Sequence, residues 1–412
     1  MNRRTFLPYL ATPAVAASLQ RVAALSSPAP AMKITRIDST YWRSEGDLPW
    51  KPNWVWVRVH TDSGLVGLGE TYPRNEVEAS VVHSTIAGLL LGRDPRDIER
   101  IWADLYRTFD FQVTGGAEMR ALSAIDLALW DLLGKALGQP VYRLLGGKSN
   151  PEVRLYNTCF AHKYDFTKEP DKIMRELIDR YGIKAIKIWP FDRAAARNQH
   201  EYVTGADLEE GLCPVRLLRD KFANEIEILM EFHSGWDLTS AIRIAKALEP
   251  YRPMWLEDML LPGNFEQYRQ LAETTSIPLT ISERLAGRMQ FLRLLESRAA
   301  RYVMFDVTWC GGLSEARKIA NMAEAFELPV APHTAGGPLL FYASTHLATA
   351  LTNLAIQESC QVFYESTWPT MLNNPLVPKD GAVRVPELPG FGMEIKPEVW
   401  THPAAVTRAT TL

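Results

Sequence analysis

Ile226-Glu227-Ile228-Leu229-Met230-Glu231, Pro253-Met254-Trp255-Leu256-Glu257 and Pro278-Leu279-Thr280-Ile281-Ser282-Glu283 repeat one grammar, a short apolar run closed by a glutamate. The three glutamates stand 26 residues apart, about the length of one strand, its helix and the turns between them. Outward from this stretch the same alternation continues. Short apolar runs at 153–157, 185–189, 226–230, 253–256, 278–281, 302–305, 329–331 and 353–356 are separated by amphipathic stretches, and eight such units are the number that closes a parallel βα barrel.

In a βα barrel the residues that follow the strands converge on one mouth. Glu231, Glu257 and Glu283 should therefore meet in space. Like charges a few ångströms apart in a partly dry site repel strongly, and a hard divalent cation held by oxygen ligands resolves the repulsion. The cluster reads as a site for one Mg²⁺. The next strand ends carry Asp306, His333 and Glu358. An aspartate beside an imidazole fixes its tautomer and raises its basicity, which suits general acid/base work. Glu358 is expected to hydrogen-bond a substrate oxygen if held protonated. Lys187 lies in Ile183-Lys184-Ala185-Ile186-Lys187-Ile188-Trp189, where alternation puts Lys187 and Trp189 on one face, taken as inward, and Lys184 towards solvent. Lys187 and His333 would then flank a bound substrate. His233, two residues after Glu231, shares its face.

The N-terminal part reads differently. Strand-like sequence at 33–59, closed by Thr61-Asp62-Ser63-Gly64, precedes helical periodicity at 76–91, 98–107 and most strongly 121–137. Strands followed by helices predict an α+β domain. Ahead of it, Arg3-Arg4 precedes a mildly apolar stretch too short to span a bilayer, and Ala29-Pro30-Ala31 offers small residues for cleavage. The pattern predicts a twin-arginine leader and a periplasmic destination; the alternative is a cytoplasmic protein with an upstream start codon. The expected division is a leader at 1–31, a cap at 32–150, the barrel at 151–372 and a tail at 373–412 without assignable periodicity.

The chain has 412 residues, 47% hydrophobic and 23% charged, and a formal net charge of -3, which is the balance of an ordinary globular protein without a nucleic-acid footprint or a membrane span. Cys159, Cys213, Cys310 and Cys360 lie far apart and read as core thiols rather than a zinc or disulfide framework. No Gly-x-Gly-x-x-Gly opens a helix after a strand, which excludes a dinucleotide fold of that kind.

Ala121-Leu122-Ser123-Ala124-Ile125-Asp126-Leu127-Ala128-Leu129-Trp130-Asp131-Leu132-Leu133-Gly134-Lys135, with Pro140-Val141 and Leu144-Leu145-Gly146, resembles the signature of the mandelate racemase and muconate-lactonising enzyme family of the enolase superfamily. The resemblance implies a modified TIM barrel of the (β/α)7β kind, an N-terminal α+β capping domain, a tail returning to that cap and one essential Mg²⁺. It further implies metal ligation by Glu231, Glu257 and Glu283, a dyad of Asp306 and His333, a last-strand acid at Glu358, and Lys187 as the first lysine of a Lys-x-Lys motif. Trp189 replaces the second lysine, which weighs against a racemase depending on it, and His233 matches the position of a general acid in some sugar-acid dehydratases of the family. Substrate choice is expected in cap loops at 42–54, including Arg43 and Trp50, and at 109–116, with Trp189 as a further substrate contact.

The leading expectation is dehydration of a sugar acid through an enediolate. A cycloisomerase acting on a lactone or anhydro sugar acid, an epimerase, and a periplasmic sugar-acid binding protein stand beside it. The expected partner is a small-molecule sugar acid or lactone, with a homo-oligomer as the assembly.

Overall fold

Alternating Val, Trp and Thr side chains drive the first sheet. In the computed structural model, which describes residues 31–43, 53–109, 115–160 and 163–412, the cap strands are β1 (Ile34–Trp42), β2 (Val55–Thr61) and β3 (Val66–Thr71). Arg3 and Arg4 of the expected leader, Trp50, and most of the loops at 42–54 and 109–116 lie outside the described residues. Hydrogen bonds run antiparallel between β1 and β2 and between β2 and β3. Long helices at Ile98–Phe109 and Gly116–Leu137 follow, and the second packs on β3. That contact is made by glycines on one face of the strand. A Cβ on Gly67 would fall 2.0 Å from the carbonyl oxygen of Ala128, and one on Gly69 would fall 1.7 Å from that of Ala124. Strand and helix backbones meet directly, with alanines one helical turn apart opposite glycines one pleat apart.

The barrel strands are β4 (Val153–Thr158), β5 (Ala185–Ile188), β6 (Glu227–Glu231), β7 (Trp255–Glu257), β8 (Leu279–Ile281), β9 (Tyr302–Phe305), β10 (Val330–Pro332) and β11 (Gln357–Ser359). They pair in parallel in the order β10-β9-β8-β7-β6-β5-β4-β11. The ring closes where Val330 donates to the Asn353 carbonyl and accepts from the Ala355 amide, both at 2.9 Å. Helices follow the first seven strands, among them Leu238–Leu248, Gly312–Ala325 and Pro338–Ala350. The last strand lies later than the apolar run at 353–356 predicts: that run supplies the closure, and the ladder to β4 is made by Gln357, Glu358 and Ser359. The tail contains β12 (Ala382–Val383), which pairs with β4, and β13 (Ala405–Thr411), which lies antiparallel to β1 and completes the cap sheet. The helical stretch expected at 76–91 is broken by a wider turn, Val82–Ile86, between helices Asn75–Val81 and Ala87–Leu90. Cys159, Cys310 and Cys360 are buried as core thiols, whereas Cys213 is exposed on the helix Gly205–Phe222. Among the described residues no helix is long and apolar enough to cross a membrane.

His346 joins barrel to tail. Its Nδ1 accepts from the Tyr142 amide and its Nε2 donates to the Phe391 carbonyl, each at 3.1 Å, so the imidazole is neutral in the interior. Burial pushes its pKa down to about 4, from 6.5. The unfolded chain binds the proton more readily than the fold does. This contribution is therefore complete above pH 6.5 and lost as the pH falls from there towards 4, amounting to about 3 kcal/mol in all.

Two outcomes are expected. Urea midpoints measured between pH 7 and 4 fall more steeply for the wild type than for His346→Gln, and equal slopes would remove His346 from the account. Gly69→Ala, which forces a methyl into the Ala124 carbonyl, destabilises the cap by about 3 kcal/mol in the same assay; a loss below about 0.5 kcal/mol would show that strand and helix can part at little cost.

Candidate active site

Period-two alternation decides which side chains reach the centre of the barrel. Tyr156, Ala185, Leu229, Trp255, Met304, Ala331 and Ile356 form a buried cluster inside it. Two residues further along the same strands stand Thr158, Lys187, Glu231, Glu257, Asp306, His333 and Glu358. The apolar layer forms a floor, and the chemistry is the next layer up.

Glu231 and Glu257 end neighbouring strands in register, and Glu283 follows β8. All three are buried, with one carboxylate oxygen from each within 4.8 Å of the others. Glu231 Oε1 accepts from the amides of Phe232 at 3.0 Å and His233 at 2.6 Å, and Glu257 Oε2 accepts from Trp255 Nε1 at 2.9 Å. Burial first, then the charge of Glu231, pushes Glu257 well above the usual carboxylate range; burial also raises Glu231, up to about 7, against a hydrogen bond with Glu257 that lowers it. Burial acts on Glu283 in the same direction, but the charges of His333 and Arg284 outweigh it and hold Glu283 low. Glu283 Oε2 is buried without a hydrogen-bond partner. Three hard oxygen donors, one of them bare, fit a cation of the Mg²⁺ type.

Lys187 stands against this cluster, 3% exposed. Its Nζ lies 2.7 Å from Glu257 Oε1, 2.9 Å from Glu358 Oε1 and 3.7 Å from Glu231 Oε2. Burial alone would lower its pKa, yet Glu257 and Glu358 raise it well above that of a free lysine. Glu358 does not match the expectation of a protonated acid. Its Oε1 accepts from Lys187 and from Thr158 Oγ1, and its Oε2 accepts from the Thr334 amide at 2.6 Å. Burial would raise its pKa, but Lys187, His333 and these donors hold it down to about 2, so it is a carboxylate.

The register of β9 and β10 pairs Phe305 with Pro332, so the next residues, Asp306 and His333, emerge side by side. His333 Nδ1 lies 2.8 Å from Asp306 Oδ2, and its Nε2 lies 3.5 Å from Glu358 Oε2. Lys187 and His333 thus face the two oxygens of one carboxylate. Burial disfavours the imidazolium, but Glu358 and Asp306 raise the His333 pKa to about 9.

His233 is placed differently from the alternation argument. It lies beyond the end of β6 with φ of +48°, its side chain half-exposed. Its amide reaches Glu231, while its ring turns to Asp192 Oδ2 at 2.6 Å and stands edge-on to Trp189. Trp189 follows β5, half-buried between His233 and Phe166, and Lys184 is exposed as expected. Arg43 is exposed just after β1, in a cleft with Tyr41, Pro73 and Asn75 that none of the strand-end residues of the barrel lines.

Sequence reasoning missed Tyr72, Trp309, Asp192, Thr158 and Thr334, all of which touch the site residues. The Thr residues carried a signal, since each lies at the end of a predicted strand. Tyr72 carried none, because its partner is distant in sequence.

Comparison with known proteins identifies the family. Residues 171–399 match the enolase C-terminal domain-like family, and residues 50–146 match the mandelate racemase / muconate lactonizing enzyme N-terminal domain. D-galactonate dehydratase of Ralstonia nicotianae is 33% identical over 375 residues, 88% of this chain and 92% of that protein. The enzyme of the same name from Klebsiella pneumoniae is 34% identical over 79% of this chain and 81% of its own length. Among solved structures, an enolase of the mandelate racemase subgroup from Agrobacterium tumefaciens superposes with a TM-score of 0.83 at 39% identity, covering 92% of this chain and 99% of that one. An enolase superfamily member from Salmonella Typhimurium gives 0.84 at 29% identity, over 92% and 100%. Both matched domains, the barrel with its antiparallel cap and these relatives show that the chain is an enzyme of the mandelate racemase / muconate lactonizing enzyme family of the enolase superfamily.

Proposed function

We propose that this enzyme dehydrates a sugar acid, an aldonate or an aldarate, to the 2-keto-3-deoxy acid. The observation that carries the reading is the pair Lys187 and His333 on the two oxygens of Glu358, beside three carboxylates that can hold a divalent cation. A proton α to a carboxylate is weakly acidic, so its removal needs a positioned base and strong stabilisation of the enediolate. Mg²⁺ held by Glu231, Glu257 and Glu283 would supply that stabilisation and offset the negative charge of its ligands.

The chain's own groups do the rest. A cation on Glu283 would offset the carboxylate charge that helps raise the His333 pKa, and in its neutral form His333, its Nδ1 fixed by Asp306, presents Nε2 to take the α-proton. Lys187 stays an ammonium and holds the opposite side of the substrate carboxylate. His233, half-exposed and braced by Asp192, gives a proton to the departing hydroxyl. One proton and one hydroxide leave as water, and the enol product tautomerises to the keto acid. The D-galactonate dehydratases among its relatives support this substrate class. The aromatic face of Trp189 and Phe166 favours one second reading, a cycloisomerase whose ring substrate lies against it. The Arg3-Arg4 leader assigns the reaction to the periplasm in this proposal; recovery of the full-length chain only from the cytosol on cell fractionation would reverse that assignment.

Purified protein incubated in D₂O with hexonates, pentonates, aldarates and their lactones, with Mg²⁺ or after EDTA, should form a 2-keto acid from an open-chain acid only when Mg²⁺ is present. Turnover confined to lactones would identify the cycloisomerase, and deuterium exchange without a new product would point to an epimerase. His333→Asn should lower kcat by about 10³-fold. Glu283→Gln should weaken Mg²⁺ binding, followed by calorimetry, by more than ~100-fold, and unchanged affinity would remove Glu283 from the metal site.

A further inference from the structure

We infer that Tyr72, which belongs to the cap, is a positioning residue for the Asp306–His333 dyad and makes the geometry of the barrel's base depend on the seating of the cap. The inference rests on the reading of that dyad as the acid/base pair.

The end of β3 and the residue after it dock on the two loops that carry the dyad. Glu70 accepts from the amides of Leu339 at 3.1 Å and Leu340 at 3.0 Å, just beyond the His333 loop. Thr71 Oγ1 donates to the Thr308 carbonyl at 2.9 Å. The Tyr72 hydroxyl donates to Asp306 Oδ2 at 2.8 Å and lies 3.5 Å from His333 Nδ1. The Tyr72 ring is buried, packed against Trp309 with centroids 4.7 Å apart, and Trp309 Nε1 donates back to the Tyr72 carbonyl at 3.0 Å. Gly336 leaves the space for that ring, since a Cβ there would sit 2.7 Å from Tyr72 Cε1.

Asp306 Oδ1 already accepts from the Thr308 amide at 2.7 Å and from its hydroxyl at 2.6 Å. With Tyr72 and His333 both on Oδ2, every lone-pair direction of the carboxylate is taken, and it cannot turn. The imidazole is locked with Nε2 towards Glu358. The Tyr72 donor also draws charge from Asp306, so the imidazolium is stabilised less than a lone aspartate would stabilise it. The groups facing His333 are Asp306 from the end of β9, Glu358 from β11, Glu283 after β8 and Tyr72 from the cap, with Arg120 on the Trp309 ring. Removing the hydroxyl therefore raises the His333 pKa.

The test is Tyr72→Phe, which keeps the ring. Titration of ¹⁵N-histidine-labelled full-length protein by NMR, with His333 assigned through its missing signal in His333→Asn, should show the His333 pKa higher by about half a unit to one unit in the variant. Gly336→Ala, which displaces the ring, should shift it in the same direction. On a substrate that the wild type turns over, Tyr72→Phe should lose ~10–100-fold in kcat with KM within about twofold, as expected for a hydrogen bond to a charged group. An unchanged His333 titration in both variants would overturn the inference. If the wild type turns over no sugar acid, the proposed function fails, and the titration alone still decides the role of Tyr72.

Discussion

Everything at the barrel mouth answers to one electrostatic constraint, the burial of four carboxylates around a single ammonium. Two unit charges 4.8 Å apart repel by about 3 kcal/mol at an effective dielectric of 20, and full ionisation of Glu231, Glu257 and Glu283 would set up three such pairs, part of why Glu257 and Glu231 hold protons more tightly than free carboxylates do. Lys187 answers Glu257 and Glu358 directly and Glu231 at longer range. The oxygens it does not reach are met by fixed dipoles: the amides of Phe232 and His233 on Glu231, the Trp255 indole on Glu257, and the Thr334 amide on Glu358. Glu283 Oε2 is the exception, and it is the place where a bound cation would complete the account.

The same constraint decides the state of Glu358, which the sequence leaves conditional. A glutamate in the last strand of a barrel is expected to be desolvated, and desolvation alone favours the protonated acid. What the chain order does not display is the number of donors that the closed ring brings to it. Lys187 from β5, Thr158 from β4, and Thr334 and His333 after β10 all converge there. Their sum exceeds the burial cost, so the group is an anion that holds the two candidate proton carriers in place.

Barrel and site were legible to different degrees, for physical reasons. The spacing of Glu231, Glu257, Asp306 and His333 was readable because each lies two residues past an apolar floor residue, and the alternation of a strand is printed in the sequence. The final strand was read too early because Gln357, Glu358 and Ser359 are polar, yet buried around Lys187 and the first barrel strand. Polar residues inside a ladder leave no hydrophobic period to follow. The strand Ala405–Thr411 was invisible for the opposite reason: it edges the cap sheet, half or fully exposed along its length, and its partner β1 lies at the other end of the chain. Tyr72 belongs with these, since its contact with Asp306 spans 234 residues of sequence.

The glycine pair after His333 shows how far such long-range terms reach into local sequence. The helix Pro338–Ala350 begins on Gly337, whose missing side chain can cap none of the free amides of the first turn. Pro338 at the first helical position suits the backbone, but no local side chain satisfies the amides that follow it. The cap supplies what the helix lacks, because Glu70 takes the Leu339 and Leu340 amides and is itself held by Trp56 Nε1 at 2.7 Å. A Cβ on Gly337 would strike the Glu70 carboxylate at 2.4 Å, so the capping group can come from another sheet only if the position at the helix start is empty. Gly336 and Tyr72 repeat the trade one residue earlier. The two glycines are thus the imprint, in the barrel's sequence, of side chains that belong to the cap, and they bind the loop bearing His333 to a sheet that shares none of its strands.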